Sequence, residues 1–449
     1  MIFQTPFFKL FSLALALYGL CYILFKPSDD IALDLHLKNQ FDLAIVGHTN
    51  QILRHLVHHK VISPRATREA AQKLQARLAC SINNGTWTTK GRKHVHYRHD
   101  PNCFENWPSL EDLDLPQVTS LLCNRIHGKR LLLVGSRAFY HAQALLLQAL
   151  ALHDNRSYPN RSPESGSHYF VCGNLSPDNK LGPSWTLPFN PRNLSHQSLP
   201  VGFARLSFSL ADTLSPLRDA QHRMVAQPVV DPRTGIRTYI SDWLADSQKA
   251  QVLILNKGPL PAPASTFDGY TGNWSFATTI PQEAYARLRV NNLTLVVVNA
   301  AMHVVFQEYV PDLLQALNAL SLTGKSQRLF IGPWHQHPTC TNAGLGSDFR
   351  TASLIWENNV KFRQVDPWTL FYNAQVYIID QILPAILPYY DIIYVPMTLP
   401  LTPEHLAFTG LEHEGRQKDC LRLPADHPAG RTLHDARLPQ INLWELQPL

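Results

Sequence analysis

The sequence predicts an α/β domain with a mostly parallel β-sheet, preceded by a transmembrane helix and a helical stem. From Lys129 onward, short apolar runs alternate with segments of helical period, the pattern of strands joined by crossover helices. The residues from Phe7 to Phe25 are almost wholly apolar. Between these two regions, Phe41, Ile45, Ile52, Leu53 and Leu56 recur at roughly helical spacing, as an amphipathic stem requires.

The apolar run contains Lys9 as its only charge and is ended by Lys26 and Pro27. Nineteen residues rising about 1.5 Å each approach the ~30 Å of bilayer hydrocarbon. Residues Leu20 to Phe25 lack the small-x-small pattern of a cleaved signal peptide, so the run reads as an uncleaved anchor. Lys9 and Lys26 flank it on both sides and leave orientation open. The rest of the chain decides it. Seven Asn-x-Ser/Thr sequons follow, at Asn84, Asn155, Asn160, Asn174, Asn193, Asn273 and Asn292, and none precedes residue 80. Cys80, Cys103, Cys123, Cys172, Cys340 and Cys420 form an even set outside the anchor, enough for three disulfides in any of about fifteen pairings. These features imply a type II layout. Residues 1–6 are a cytosolic tail, 7–25 the anchor, 26–79 the stem and 80–449 a lumenal domain, held in a Golgi or other secretory-pathway membrane.

Composition excludes other classes. Of 449 residues, 45% are hydrophobic and 16% charged, which argues against wholesale disorder. The net charge of +6 is spread along the chain rather than gathered in a basic block, so nucleic acid is not an expected partner. No C-x-x-C spacing occurs and no metal or cofactor is expected. His55, His58 and His59 read as a solvated helix face.

The elements follow in order. Ser63-Pro64 starts a second stem helix, running towards Cys80. Leu131 to Val134 is a short buried strand ending in Gly135-Ser136, followed by a helix from about Phe139 to Leu152. His168 to Cys172 and Leu206 to Leu210 are further strands, and Gln251 to Leu255 is another, preceded by a helix with Trp243 and Leu244. A long helix covers roughly Glu283 to Leu320, with a break near Asn291. Arg328 to Ile331 is a strand, Trp368 to Leu387 a helix and Asp391 to Val395 the last strand.

Ligands bind such sheets at the carboxyl ends of the strands. That selects Gly135-Ser136-Arg137, Asn256-Lys257-Gly258, Pro333 to His337, and Pro396 to His413. Gly135 permits a sharp turn into a helix whose N-terminus favours an oxyanion. Ser136 there is a nucleophile candidate or the N-cap of the helix. Asn256 beside Gly258 can donate to an oxyanion hole, or be an ordinary turn residue. His335 and His337 are candidate sugar ligands or bases. His405 and His413, each preceded by a glutamate, can activate a serine if the fold joins the two ends of the domain.

Together these segments resemble the PC-esterase family. It includes the trichome-birefringence-like polysaccharide O-acetyltransferases and belongs to the SGNH/GDSL hydrolase superfamily. Cys80, Trp87, Tyr97 and Cys103 are similar to its opening segment, and Cys123 through Gly135 to the strand entering its G-D-S motif. Val252 to Gly258 resembles a further family strand, His337 to Cys340 its G-G-x-C loop, and Asp419-Cys420 its late D-C pair. The resemblance spans about residues 80 to 425 and implies an SGNH-like three-layer domain whose serine passes an acyl group to a sugar hydroxyl. The chain departs from the family at both catalytic motifs. Ser136 stands at the family's Asp position and Arg137 at its nucleophile. Leu411 stands where a D-x-H motif ending at His413 needs Asp. A guanidinium is no acyl carrier. The resemblance therefore implies a lumenal protein, degenerate at the catalytic serine, that acts on or binds glycans in the secretory pathway or scaffolds an enzyme partner; the alternative is an active O-acetyltransferase or esterase using Ser136 with His413 or His405.

Overall fold

The structure is a computed structural model that describes residues 29–58, 65–83, 86–90, 94–98, 103, 115–159, 161–173, 203–216, 225–268, 273–274, 276, 293–321, 326–333 and 367–396. The expected tail and anchor lie outside the described residues.

Two helices lead, α1 (Asp29–His58) and α2 (Arg65–Asn83), followed by an antiparallel hairpin of β1 (Thr86–Lys90) and β2 (His94–Arg98) that pairs Trp87 with Tyr97. Helix α3 (Leu115–Ile126) precedes the first core strand, β3 (Arg130–Gly135), which runs into α4 (Arg137–His153). Next come β4 (Ser167–Val171), β5 (Ala204–Leu210) and a hairpin of β6 (Gln227–Val230) and β7 (Arg237–Ile240). The short helix α5 (Trp243–Ser247) leads to β8 (Val252–Leu255) and the two-residue strands β9 (Phe267–Asp268) and β10 (Asn273–Trp274). Helix α6 (Leu293–Val304) passes through a π-helical turn at Val305–Tyr309 into α7 (Val310–Ser321). Strand β11 (Gln327–Ile331), helix α8 (Pro367–Ile386) and strand β12 (Ile392–Val395) follow.

Six of these strands form one sheet in the order β12-β11-β8-β3-β5-β4. All neighbours are parallel except β4, which runs antiparallel to β5 at the edge. The fold is thus α/β with a mostly parallel sheet. From β3 the chain builds outward to β4 and β5, then returns to the other side for β8, β11 and β12. The reversal makes the gap between β3 and β8 the switch point, where open α/β sheets bind ligands.

The strands read as unbroken apolar runs because both faces of the sheet are covered. Leu132, Val134, Leu253, Leu255 and Phe330 pack with α1, α6, α7 and α8 on one face. Their neighbours Leu131, Leu133, Val252, Ile254 and Leu329 pack with α2, α3 and α4 on the other. Alternation along each strand sends successive side chains to opposite faces. In α8, Phe371, Ile378, Ile379, Ile382, Leu383 and Ile386 are at most 1% exposed, each stabilising by roughly 1.5–3 kcal/mol. This helix is the one among the described residues that is long and apolar enough to cross a membrane, yet 72% of its apolar window is buried inside the protein.

Both leading helices pack onto the sheet, one on each face. Phe41, Ile45 and Leu56 of α1 belong to one core, and Ala71, Leu74 and Leu78 of α2 to the other. Buried Gln75 accepts from the Tyr394 amide at 2.7 Å and donates to the Pro384 carbonyl at 2.9 Å. One side chain of α2 thereby ties the edge strand β12 to α8, and α2 covers an edge that would otherwise invite pairing. The long helix expected over Glu283 to Leu320 carries a π turn at 305–309; the break expected near Asn291 lies outside the described residues.

Two disulfides join the described cysteines, Cys80 to Cys103 and Cys123 to Cys172, while Cys340 and Cys420 lie outside them. Of the sequons, Asn155 is exposed in a left-handed turn just after α4 and Asn273 lies in β10. The other five asparagines lie outside the described residues. The Cys123–Cys172 bond spans 49 residues and ties α3 to the end of β4. We expect Cys172→Ala to lower the unfolding free energy by about 4 kcal/mol, read from the denaturant midpoint of the full chain under non-reducing conditions.

Candidate functional site

At the tip of β3, Gly135 is required by close approach rather than by an unusual backbone. A Cβ built on it would meet the Phe139 ring at 2.7 Å and the backbone oxygen of Asn256 at 3.0 Å. Removing the side chain lets the tips of β3 and β8 close together, and the Asn256 amide donates to the Val134 carbonyl at 2.8 Å.

Ser136 is the N-cap of α4, with extended φ and ψ. Its Oγ accepts from the Phe139 amide at 3.4 Å and donates to Asn256 Oδ1 at 3.3 Å. The cap satisfies one of the free N–H groups at the helix start. Gly258 opens the neighbouring space, since a Cβ there would lie 3.9 Å from the serine oxygen. The structure therefore brings Gly135, Ser136, Asn256 and Gly258 together. The Asn256 amide nitrogen donates to the Ile331 carbonyl at 2.9 Å, so it stitches β8 to β11 instead of facing a reacting oxygen.

Arg137, the first residue of α4, turns outward. Its guanidinium pairs with Glu164, donates to the Tyr239 hydroxyl at 2.9 Å and lies over the Tyr239 ring at 4.7 Å from the centroid. It remains 56% exposed, so the pair with Glu164 is a rim contact of modest energy. Burial pushes the Glu164 carboxyl up, but hydrogen bonds from Ser162 and its own amide, together with Arg137, hold it below the usual carboxylate value.

Beneath Arg137 lies Asp212, a residue the strand-end reasoning missed although it follows β5 at the same end of the sheet. Its carboxylate accepts from the amides of Tyr239, at 2.7 Å, and Arg137. Burial pushes it up to about 6, against the lowering effect of those amides and of the Arg137 charge.

Lys257, between Asn256 and Gly258, points the other way and is fully buried. Its ammonium donates to the Tyr309 carbonyl at 3.1 Å, lies 4.6 Å from the centre of the Tyr309 ring and is 3.8 Å from Asp312. The Tyr309 hydroxyl donates back to the Lys257 carbonyl at 2.9 Å. Burial pulls the ammonium down to about 7, with Asp312 opposing. The partner carbonyl belongs to the π turn, a feature frequent near functional sites.

Ser136 has a hydrogen-bond acceptor in Asn256, but an amide oxygen takes no proton, so that contact does not make a nucleophile. The imidazole candidates His335, His337, His405 and His413 lie outside the described residues. One group among the described residues has metal-ligand composition, Cys123, His153 and Asp154 within 4.8 Å. Cys123 is in a disulfide with Cys172 and offers no thiolate. No protein-family model matches the chain, and no curated protein matches it significantly.

Two outcomes test this geometry. Gly135→Ala should destabilise the fold by roughly 1–3 kcal/mol, because its methyl group meets backbone that cannot swing away; thermal unfolding measures it. Asp212 titrates higher in the fold than in the unfolded chain, so the folded state holds more protons between about pH 4 and pH 6 and stability falls as pH rises through that window, by at most about 3 kcal/mol. Asp212→Asn should therefore lose less stability than the parent between about pH 4 and pH 7, compared by unfolding midpoints.

Proposed function

We propose that this chain is a lumenal, membrane-anchored relative of the PC-esterase proteins that binds glycans in the secretory pathway without catalysing acyl transfer. The observation that carries the reading is the start of α4. The residue at the family's nucleophile position is Arg137, and the neighbouring hydroxyl of Ser136 caps the helix and bonds to Asn256.

The wider fold supports the family part of the reading. In chain order the parallel strands β3, β5, β8, β11 and β12 stand in the sheet as 2-1-3-4-5, and the glycine turn and the Asn-Lys-Gly turn flank the switch point, where a doubly wound fold holds its ligand. Two disulfides and an exposed sequon asparagine, Asn155, suit an oxidising, glycosylating compartment. The ligand class follows from the rim. An exposed guanidinium stacked on a tyrosine offers charge-assisted donors to a carboxylate, and the ring edge offers apolar surface to a sugar. An acidic glycan meets both.

The active alternative draws on one observation: Ser136 does lie in the crevice, beside Gly258. It needs His405 or His413 to reach that serine.

Full-length protein in detergent separates the two. Under our reading a serine-reactive fluorophosphonate leaves no adduct at Ser136, and chromogenic acetyl esters turn over at the rate of the Ser136→Ala variant. Uronic-acid oligosaccharides bind, and Arg137→Ala weakens binding by about tenfold or more, the scale of a charged hydrogen bond. Ester turnover that Ser136→Ala abolishes would sink the silent reading and establish the esterase.

A further inference from the structure

Helix α1 carries two apolar stripes, and the core uses one. Phe41, Ile45, Thr49 and Leu56 are buried against the protein. About 120° round the helix, at 3.6 residues per turn, lies a second set: Leu43, Val46, Asn50, Leu53 and Val57. Leu43 is 71% exposed, Val46 53% and Val57 51%, and Asn50 is exposed. Leu53 sits at the boundary, partly packed on the core. The last three of these residues also line an open groove of about 650 Å³, together with Arg54 and His58.

The spacing of the second set is three, four, three, four. That is the a/d repeat of a coiled coil, with Asn50 at a central a position. A lone asparagine at such a position is paired with itself in two-stranded parallel coils, where it fixes register at some cost in stability. A globular helix needs no heptad on its solvent side, and three exposed branched residues there call for an occupant.

We propose that α1 is a dimerisation element, through which two copies of this chain pair in parallel along Leu43, Val46, Asn50, Leu53 and Val57. The inference rests on reading residues 7–25 as a membrane anchor. The apolar run ends at Phe25 and α1 begins at Asp29, so chains anchored in one membrane start their α1 helices at the same height and in the same direction. A two-fold axis then sets each a or d residue against its own copy, Asn50 facing Asn50. About two heptads bury less than the ~800 Å² per partner of a standard interface. The anchors make up the difference by confining both copies to one surface and raising their effective concentration.

Single cysteines test the pairing in full-length protein kept in its native membranes. Cysteines are placed at Leu43, Val46, Asn50 and Val57, and as controls at Ala44, His48, Gln51 and His55, then oxidised mildly and resolved on non-reducing gels. We expect a species of twice the chain mass at the first set, at least fivefold stronger than at the second. Val46→Glu, placed in the Asn50→Cys chain, should remove that species while leaving the circular dichroism of the purified protein unchanged. Equal cross-linking at both sets, a product of any other mass, or no product at the seam overturns the proposal. Carbonate extraction of the same membranes reports on the anchor separately: release of the chain there, with seam cross-links intact, overturns the anchor and keeps the dimer.

Discussion

Asn256 is 3% exposed between the tips of three parallel strands, and its backbone amide and both side-chain polar atoms have structural partners. The backbone amide goes to β3, the side-chain nitrogen to β11, and the side-chain oxygen receives the Ser136 hydroxyl. A buried amide left unpaired costs about 1–3 kcal/mol per group, so this residue fixes the positions of its partners as much as they fix it. The geometry at the switch point follows. Gly135 must lack a side chain for β3 to come this close. Ser136 is thereby held in the cap conformation, α4 begins at Arg137, and that side chain is sent outward to Glu164 and Tyr239. Its amide, pointing back, helps hold Asp212 in place.

Two ionisable groups, Asp212 half-buried and Lys257 fully buried, flank this node and are shifted in opposite senses by the same cause. Burial disfavours charge, so the Asp212 carboxyl rises and the Lys257 ammonium falls. For the lysine, the unfolded chain binds the additional proton above about pH 7, so its burial costs stability there and the cost shrinks as pH rises towards the ordinary lysine value. What keeps the ammonium in the fold is local. It caps a carbonyl of the π turn and faces Asp312, which Arg233 also contacts at 2.8 Å. Removing Asp312 would take an opposing charge from the fully buried Lys257, whereas Asp312 without the lysine would keep Arg233.

Much of the sheet was legible because parallel strands buried on both faces are short unbroken apolar runs, and β3, β8, β11 and β12 have little else in them. Strand order was not legible, since period and composition do not say which run neighbours which. The apolar positions of α1 recur at helical spacing in the sequence, but the sequence does not reveal what an apolar face will pack against. Gln75 illustrates this: its partners at Pro384 and Tyr394 are more than 300 positions away. At the site, Gly135, Ser136 and Asn256 were found by their place after strands. Asp212 obeys the same rule. It was missed because β5 alternates Ser with apolar residues and drew attention to its faces rather than its end. Glu164 and Tyr239 have no such signal, as they reach Arg137 from separate loops and hairpins.

Whether the crevice can do chemistry turns on direction more than on energy. Freeing the Ser136 hydroxyl would forfeit a helix cap and one hydrogen bond, together about 2 kcal/mol. That is about thirtyfold in population, which a well-bound ester could repay. The register of α4 is harder to repair. The Ser136 side chain folds back over the first turn of α4, where it accepts from the Phe139 amide, whereas Arg137 turns outward to Glu164 and Tyr239. The residue that follows Ser136 is Arg137, whose guanidinium is no acyl carrier. Moving serine into that place would shift the helix start by one residue, break the contact with Asn256 and unpick the node on which the strand tips depend. The contact with Asn256 that helps organise the strand tips is therefore also the one that occupies the Ser136 hydroxyl.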